Sequence, residues 1–365
     1  MHHPRADVDR LYVPGTSGGR GLVQLELAYK TTTIGLNAYL KHTVDILLQI
    51  VKQHEQSKGV YSVTKEATKF KQEFVLLDTV QQENKSATVH AKEIKQKVKC
   101  CGQHQTQKSW ENKAMHGLYP KRVNDADVDK QLTHQWLRSS GLKAETESLI
   151  ISAQDQCLST KAYHHKILKD GTDPKCRMCG KYDETVDHIV SGCPELAKTE
   201  YINRHNKAAS YIHWAVCKHY NIPSTTAKWY DHQPLTVTEN ENVTILWDMA
   251  IHTDREIKAN RPDIIIKDKQ QMKCLLVDMA IPSERNTSIK VTEKLSKYKD
   301  LEIEINRMWK MRTETIPVVI VALGLIKKGI ENFTNKIPGK INVYELQKVA
   351  LLGTAHILRK VLSIK

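Results

Sequence analysis

Four residues near the middle of the chain constrain it most: Cys176, Cys179, His188 and Cys193. They read C-x2-C-x8-H-x4-C within the stretch KCRMCGKYDETVDHIVSGCPELAK. Thiolates and a neutral imidazole at such close spacing are the donors that a tetrahedral zinc ion takes. A knuckle confined to residues 170–197 is too short to bury a core of its own. The metal would therefore supply most of its folding free energy, on the order of 10 kcal/mol. The tight spacing, with Gly180 after the second cysteine and Gly192 before the last, argues against coincidence.

The rest of the chain bounds the setting. At 365 residues it can hold two or three domains, and with 40% hydrophobic and 26% charged residues it reads as globular. A net charge of +14 favours a polyanionic partner. Eight cysteines do not imply a disulfide framework in a chain of this length, three of them being taken by the knuckle. The opening MHHPRADVDR has no apolar segment of a secretory signal, and the run Val318–Ile326 is too short to span a bilayer and reads as a buried strand. The expectation is a reducing compartment, the nucleus or the cytosol, and no membrane partner.

Residues 1–28 are turn-rich. Gly18-Gly19-Arg20-Gly21 reads as a turn or a phosphate-contacting loop, although it lacks the Gly-Lys-Ser/Thr of a phosphate-binding loop. From Leu22 to about Val98 the pattern is helical, with Leu36, Leu40, Val44, Leu47, Leu48 and Val51 on one face. Residues 84–108 are polar and rich in lysine (Lys85, Lys92, Lys95, Lys97, Lys99, Lys108) and read as a solvated helix or linker. Residues 109–169 are helical again, with Leu132, Trp136, Leu149, Ile150 and Ile151 as core candidates. After the knuckle a helix spans Tyr201–Tyr220, with Ile202, Ala209, Ile212, Ala215 and Val216 facing inward. Short β-branched runs then predict strands at Thr244–Ile251, Asp263–Lys267, Cys274–Ile281 and Ile316–Leu325. A long helix is expected over Ser288–Met311, with Val291, Leu295, Tyr298, Ile305 and Trp309 on one side, and two more near Ile326–Lys336 and Val343–Leu362. The expected organisation is a helical region over 1–108, a helical segment over 109–169, the CCHC knuckle, and an α/β domain over 198–365.

Asp263, after Pro262, and Asp278 each sit on an expected strand, with fourteen residues between them. Adjacent strands of a hairpin would bring them together. Clustered carboxylates repel, so such a pair exists either as a site for Mg²⁺ or Mn²⁺ or as a polar pair at a sheet edge. A metal there would acidify a bound water and stabilise charge developing on a phosphate. Lys294, Lys297 and Tyr298 share a helix face at steps of three and four, either as a solvated face or as phosphate- and water-orienting groups. Asp248 and Asp254 are further carboxylates that could complete a metal shell. Arg204-His205-Asn206 either contacts phosphate or caps and solvates its helix.

The order of these motifs resembles the C-terminal part of non-LTR retrotransposon polyproteins that carry a restriction-like endonuclease of the PD-(D/E)xK type. The resemblance rests on the GGRGL opening, the knuckle, the Arg-His-Asn helix, RPD with its distal aspartate, the KxxKY helix, and the phrases NRPDIIIKD, KLSKYKDLEIEINRMWK and GTAHILRKVL. It covers essentially the whole chain. It implies a restriction-endonuclease-like C-terminal domain that nicks target DNA for target-primed reverse transcription. Catalytic acids would be Asp263 and Asp278, and the helix groups Lys294 or Lys297 and Tyr298. The knuckle, Arg204, His205 and Asn206 would contact nucleic acid, with Arg20 and Arg261 as further contacts. The nuclease superfamily places a lysine two residues after its second acid, where this chain has Ala280. A reverse transcriptase palm needs an Asp-Asp pair, and this sequence contains none. The expectation is thus an endonuclease portion, or a binding-only remnant, with DNA, or DNA and element RNA, as its partners and polymerase activity supplied by another chain.

Overall fold

A computed structural model describes residues 3–57, 62–74, 86–139, 141–223, 225–284 and 287–364. Lys85 and the stretch 75–85 lie outside them. The chain divides into two compact units, Asp7–Gly117 and Met1–Ala6 with Leu118–Lys365. The sequence expectation put the first boundary at 108, but the helix Ala87–Asn112 runs through that point.

In the smaller unit the longer helices are Leu25–His42, Ile46–Ser57, Val63–Glu73 and Ala87–Asn112. Ser62 and Ser86 start two of them by accepting the backbone N–H of Lys65 and Val89. Ile34, Ala67, Phe70, Phe74 and Val98 form the core. Gly102 lets the first and last helices approach closely, since a Cβ there would lie 2.3 Å from the Leu27 side chain. The single apolar face expected over residues 36–51 is broken: the first helix stops at Thr43, and Val44, Leu47 and Val51 are exposed. Loop geometry also decides the glycine cluster. The amides of Gly18, Gly19, Arg20 and Gly21 donate to the carbonyls of Gly15, Pro14, Arg10 and Val13. With those N–H groups consumed internally, the loop is a turn and not a phosphate cradle.

The larger unit is built on a five-stranded sheet: β1 (Val237–Glu239), β2 (Val243–Trp247), β3 (Ile264–Asp268), β4 (Lys273–Ala280) and β5 (Arg312–Val319), in that order. The first four are antiparallel neighbours, and β5 lies parallel to β4. Parallel pairing needs a crossover, supplied by helices Thr287–Lys297 and Lys299–Trp309. Pro317 is tolerated because β5 is an edge strand. Alternation along β3 and β4 separates two cores. Ile264, Ile266, Leu275 and Val277 join the main core with Ile212, Val216, Leu346 and Ile357 from helices Glu200–His219 and Val343–Leu362. Ile265, Cys274 and Leu276 face Tyr298, Leu301 and Ile305.

Trp136, Ile150 and Ile151 are fully buried, as the sequence suggests. Several spans are shorter than expected. The strand forecast over 316–325 ends at Val319, after which Ile320–Ile326 continue as buried loop, and the following helix is only Ile330–Thr334. The forecast helix over 288–311 is two helices, because the backbone leaves helical geometry at Tyr298. No described helix is long and apolar enough to cross a membrane.

Candidate metal and carboxylate sites

The knuckle is built by two short backbone devices. Residues Cys176–Gly180 close a turn: Gly180 N–H donates to the Cys176 carbonyl (2.8 Å) with Gly180 at φ +65°, and Cys176 N–H donates to the Tyr182 carbonyl. A single π-helical turn, His188–Gly192, then brings His188 and Cys193 to the same side. The ligand atoms of Cys176, Cys179, His188 and Cys193 all lie within 4.8 Å of one another. They can hold a metal ion such as zinc. Burial pushes the His188 imidazole down, so the ring is neutral, as a ligand must be. Arg177 and the buried Glu184 form a bidentate pair (2.8 and 2.9 Å) that also takes the Arg177 and Lys161 backbone N–H groups. Tyr201 joins knuckle to helix: its hydroxyl accepts from Cys193 N–H (3.0 Å) and donates towards the His188 and Ile189 carbonyls.

The second site forms where β3 and β4 meet. Their register pairs Ile264 with Val277, and one further step places Asp263 opposite Asp278. Asp263 accepts the Met279 N–H (2.6 Å) and faces His205 Nε2 at 3.0 Å. Asp278 is 3% exposed. One of its oxygens accepts from Tyr298 OH (2.8 Å), and the other is held by Lys294. Burial pushes the Lys294 amine down, to about 8, against the pull of Asp263. Burial raises the Tyr298 phenol, keeping it a neutral donor.

Asp263 lines a cleft of about 360 Å³ with Tyr201, Ile202, His205, Asn206, Trp247 and Asp248. Arg261 stands at its edge, paired with Asp248 (2.8 Å), whose backbone takes φ +46°. Asp254, the alternative carboxylate, instead pairs with Arg307 at 3.1 Å.

Of the expected site residues, the structure thus brings Asp263, Asp278, Lys294, Tyr298 and His205 together. Lys297 is exposed and lies against the Tyr298 ring and hydroxyl, whereas Lys294 reaches Asp278, so Lys294 is the lysine on the carboxylate. Arg204 departs from the expectation of a nucleic-acid contact. It is 3% exposed, stacks over Tyr201, and donates to Thr354 Oγ1 (2.9 Å) and the Ile281 carbonyl. Gly353 makes room for it, since a Cβ there would come 2.5 Å from its stem. Arg204 therefore ties three elements of the core together. Ile202, expected to face inward, is half exposed because it forms the cleft wall. Arg20 belongs to the other unit, where its N–H closes the glycine turn. Trp247 and Tyr201 were not singled out by the sequence, and no spacing signal marks them.

The His205–Asp263 pair carries a pH signature. Burial opposes charging His205, but the Asp263 carboxylate outweighs it and raises the imidazole above 6.5; Asp263 resists its own burial and falls below 3.8 through His205. The histidine contribution is full below about 6.5 and is lost as pH rises through its raised value. The aspartate contribution is full above about 3.8 and is lost as pH falls through its lowered value. Stability of the larger unit without added divalent ions is therefore expected to decline above neutrality, and His205→Gln is expected to flatten that limb. Denaturant midpoints from pH 5 to 9 check this, and parallel profiles would count against the pair.

No protein-family model and no curated protein matches the chain.

Proposed function

We propose that this chain is a nucleic-acid-binding, divalent-metal-dependent DNA endonuclease, the nicking portion of a non-LTR retrotransposon protein, with a zinc knuckle beside a restriction-endonuclease-like domain. The observation that supports this most is the convergence of Asp263 and Asp278 on paired strands with Lys294 and Tyr298 from the crossover helices and His205 from the helix after the knuckle. Asp263 and Asp278 would hold Mg²⁺ or Mn²⁺, with Asp248 at the cleft mouth within the same wall. A bound ion would lower the pKa of its water and stabilise charge on the phosphate. Lys294 fits the role of the lysine missing at Ala280: it reaches the acids from the helix, and leaving Asp278 frees its ammonium for a phosphate oxygen. His205 orients Asp263, and Tyr298 fixes Asp278. Asn206 and Arg261 at the cleft edge are the phosphate contacts, and the partners are target DNA and element RNA. Such a protein would act in the nucleus with a reverse transcriptase from another chain.

A second reading has its own support. Both acids are already neutralised internally, Asp263 by His205 and Asp278 by Lys294. That arrangement also suits a binding protein that keeps the fold without cutting.

Asp263→Asn separates binding from cutting. On a labelled duplex it is expected to bind within a few-fold of wild type, with affinity falling steeply as salt rises, and to lose strand cleavage. Salt-insensitive binding, or cleavage equal to wild type, would refute the assignment.

A further inference from the structure

A second Cys/His group lies outside both sites. We infer that His213, Cys217 and His232 form an additional metal site, selective for a borderline-soft ion such as Zn²⁺. His213 and Cys217 are one helical turn apart on Glu200–His219 and share a face. His232 follows the short turn Trp229–Asp231. All three ligand atoms lie within 4.8 Å of one another. His213 Nδ1 is 2.8 Å from His232 Nε2 and 3.4 Å from Cys217 Sγ.

Zn–N bonds of about 2.0–2.1 Å and a Zn–S bond of about 2.3 Å put tetrahedral donors roughly 3.3–3.6 Å apart. The Cys217 contact already has that separation, and the two imidazoles need open by only about half an ångström. His213 is fully buried and Cys217 is 1% exposed, while His232 is partly exposed. A donor set of two imidazoles and one thiol, joined by no carboxylate among the described residues, disfavours Mg²⁺ and Ca²⁺ and suits zinc. Coordination through Nδ1 places the His213 proton on Nε2, and three protein donors leave the fourth position to another ligand.

The ligands are held in place independently of a metal. Ser210 Oγ donates to the His232 carbonyl (3.1 Å), and Trp214 Nε1 donates to the Thr226 carbonyl (2.9 Å). Both contacts fasten the segment after the helix back onto it. The site would brace the cleft: His205 lies two turns earlier on the same helix, and Trp247 packs edge-on against His213 (5.8 Å between centroids) while lining the cleft. The competing arrangement is a metal-free pair in which His232 Nε2–H donates to His213 Nδ1 and Cys217 stays a buried thiol.

Metal content of the purified full chain distinguishes the two. Wild type is expected to hold two zinc equivalents, and Cys217→Ser and His232→Gln one each. In the cobalt-loaded full chain, each of these variants should bind one equivalent of cobalt fewer, and Cys217→Ser should weaken the thiolate-to-cobalt charge-transfer band without removing it. Circular dichroism identifies any variant that fails to fold, and His232→Gln, at the more exposed ligand, supplies the reading if Cys217→Ser does. One equivalent in wild type, or two in folded His232→Gln, would overturn the inference.

Discussion

Cys193→Ser is expected to release the knuckle metal and unfold residues 170–197, with a stability loss of several kcal/mol. Structural zinc sites supply on the order of 10 kcal/mol, comparable to the whole stability of a domain at about 5–15 kcal/mol. The loss should not stay local. Cys176, Val186, Ile189, Val190, Cys193 and Leu196 belong to the same core as Ile212 and Leu346, and Cys193 is fully buried with its N–H on Tyr201. Releasing the metal leaves buried thiols without a partner and loosens the helix that carries His205. A strong chelator should reproduce the effect on wild type. Thermal melting with proteolysis inside 170–197 reads this out; unchanged melting after complete metal removal would show that the knuckle does not depend on a metal.

Asp278→Ala is expected to destabilise the larger unit by about 3–5 kcal/mol as well as abolish cleavage. Lys294 and Asp278 form a buried pair, with side-chain exposures of 12% and 4%. Removing the carboxylate leaves an uncompensated ammonium in a low-dielectric site, which is where such losses are largest. Lys294→Met added to Asp278→Ala removes the orphaned charge, so the double variant should be more stable than Asp278→Ala alone. Cleavage should fall by on the order of 1,000-fold or more in both, because the developing phosphate charge loses its preorganised stabilisation. A denaturant cycle over the four proteins measures the coupling. Strict additivity would contradict the ion pair, and recovery of cleavage in the double variant would contradict the role of Asp278.

Much of this was legible in the sequence, for identifiable reasons. Metal-ligand spacing is local, so C-x2-C-x8-H-x4-C named a group that the fold does gather. Strands β2 to β5 announced themselves through β-branched runs bounded by turn residues, and the antiparallel hairpin makes the Asp263–Asp278 pairing a matter of register. What escaped was set by tertiary packing. Nothing in Arg204-His205-Asn206 says that the arginine points into the core while the histidine points at a carboxylate; that depends on Gly353 and Thr354, about 150 residues away. Lys294 and Lys297 share the helix Thr287–Lys297, and tertiary packing alone sets Lys294 on Asp278 while Lys297 stays exposed against Tyr298. The apolar stretch over 36–51 had helical periodicity, but Thr43 stops the helix and leaves its continuation exposed. His213, Cys217 and His232 were overlooked because only two of the three share an element.

The most direct measurement is nicking of supercoiled plasmid by zinc-loaded wild-type protein, with Mg²⁺, with Mn²⁺ and with no divalent ion added, beside Asp263→Asn. Chelators are avoided in this assay because they would also strip the knuckle. The account predicts open-circular DNA only with an added ion and only with wild type. Folded, zinc-loaded wild-type protein that leaves the plasmid supercoiled with either ion, or an Asp263→Asn variant that nicks as fast as wild type, would contradict it.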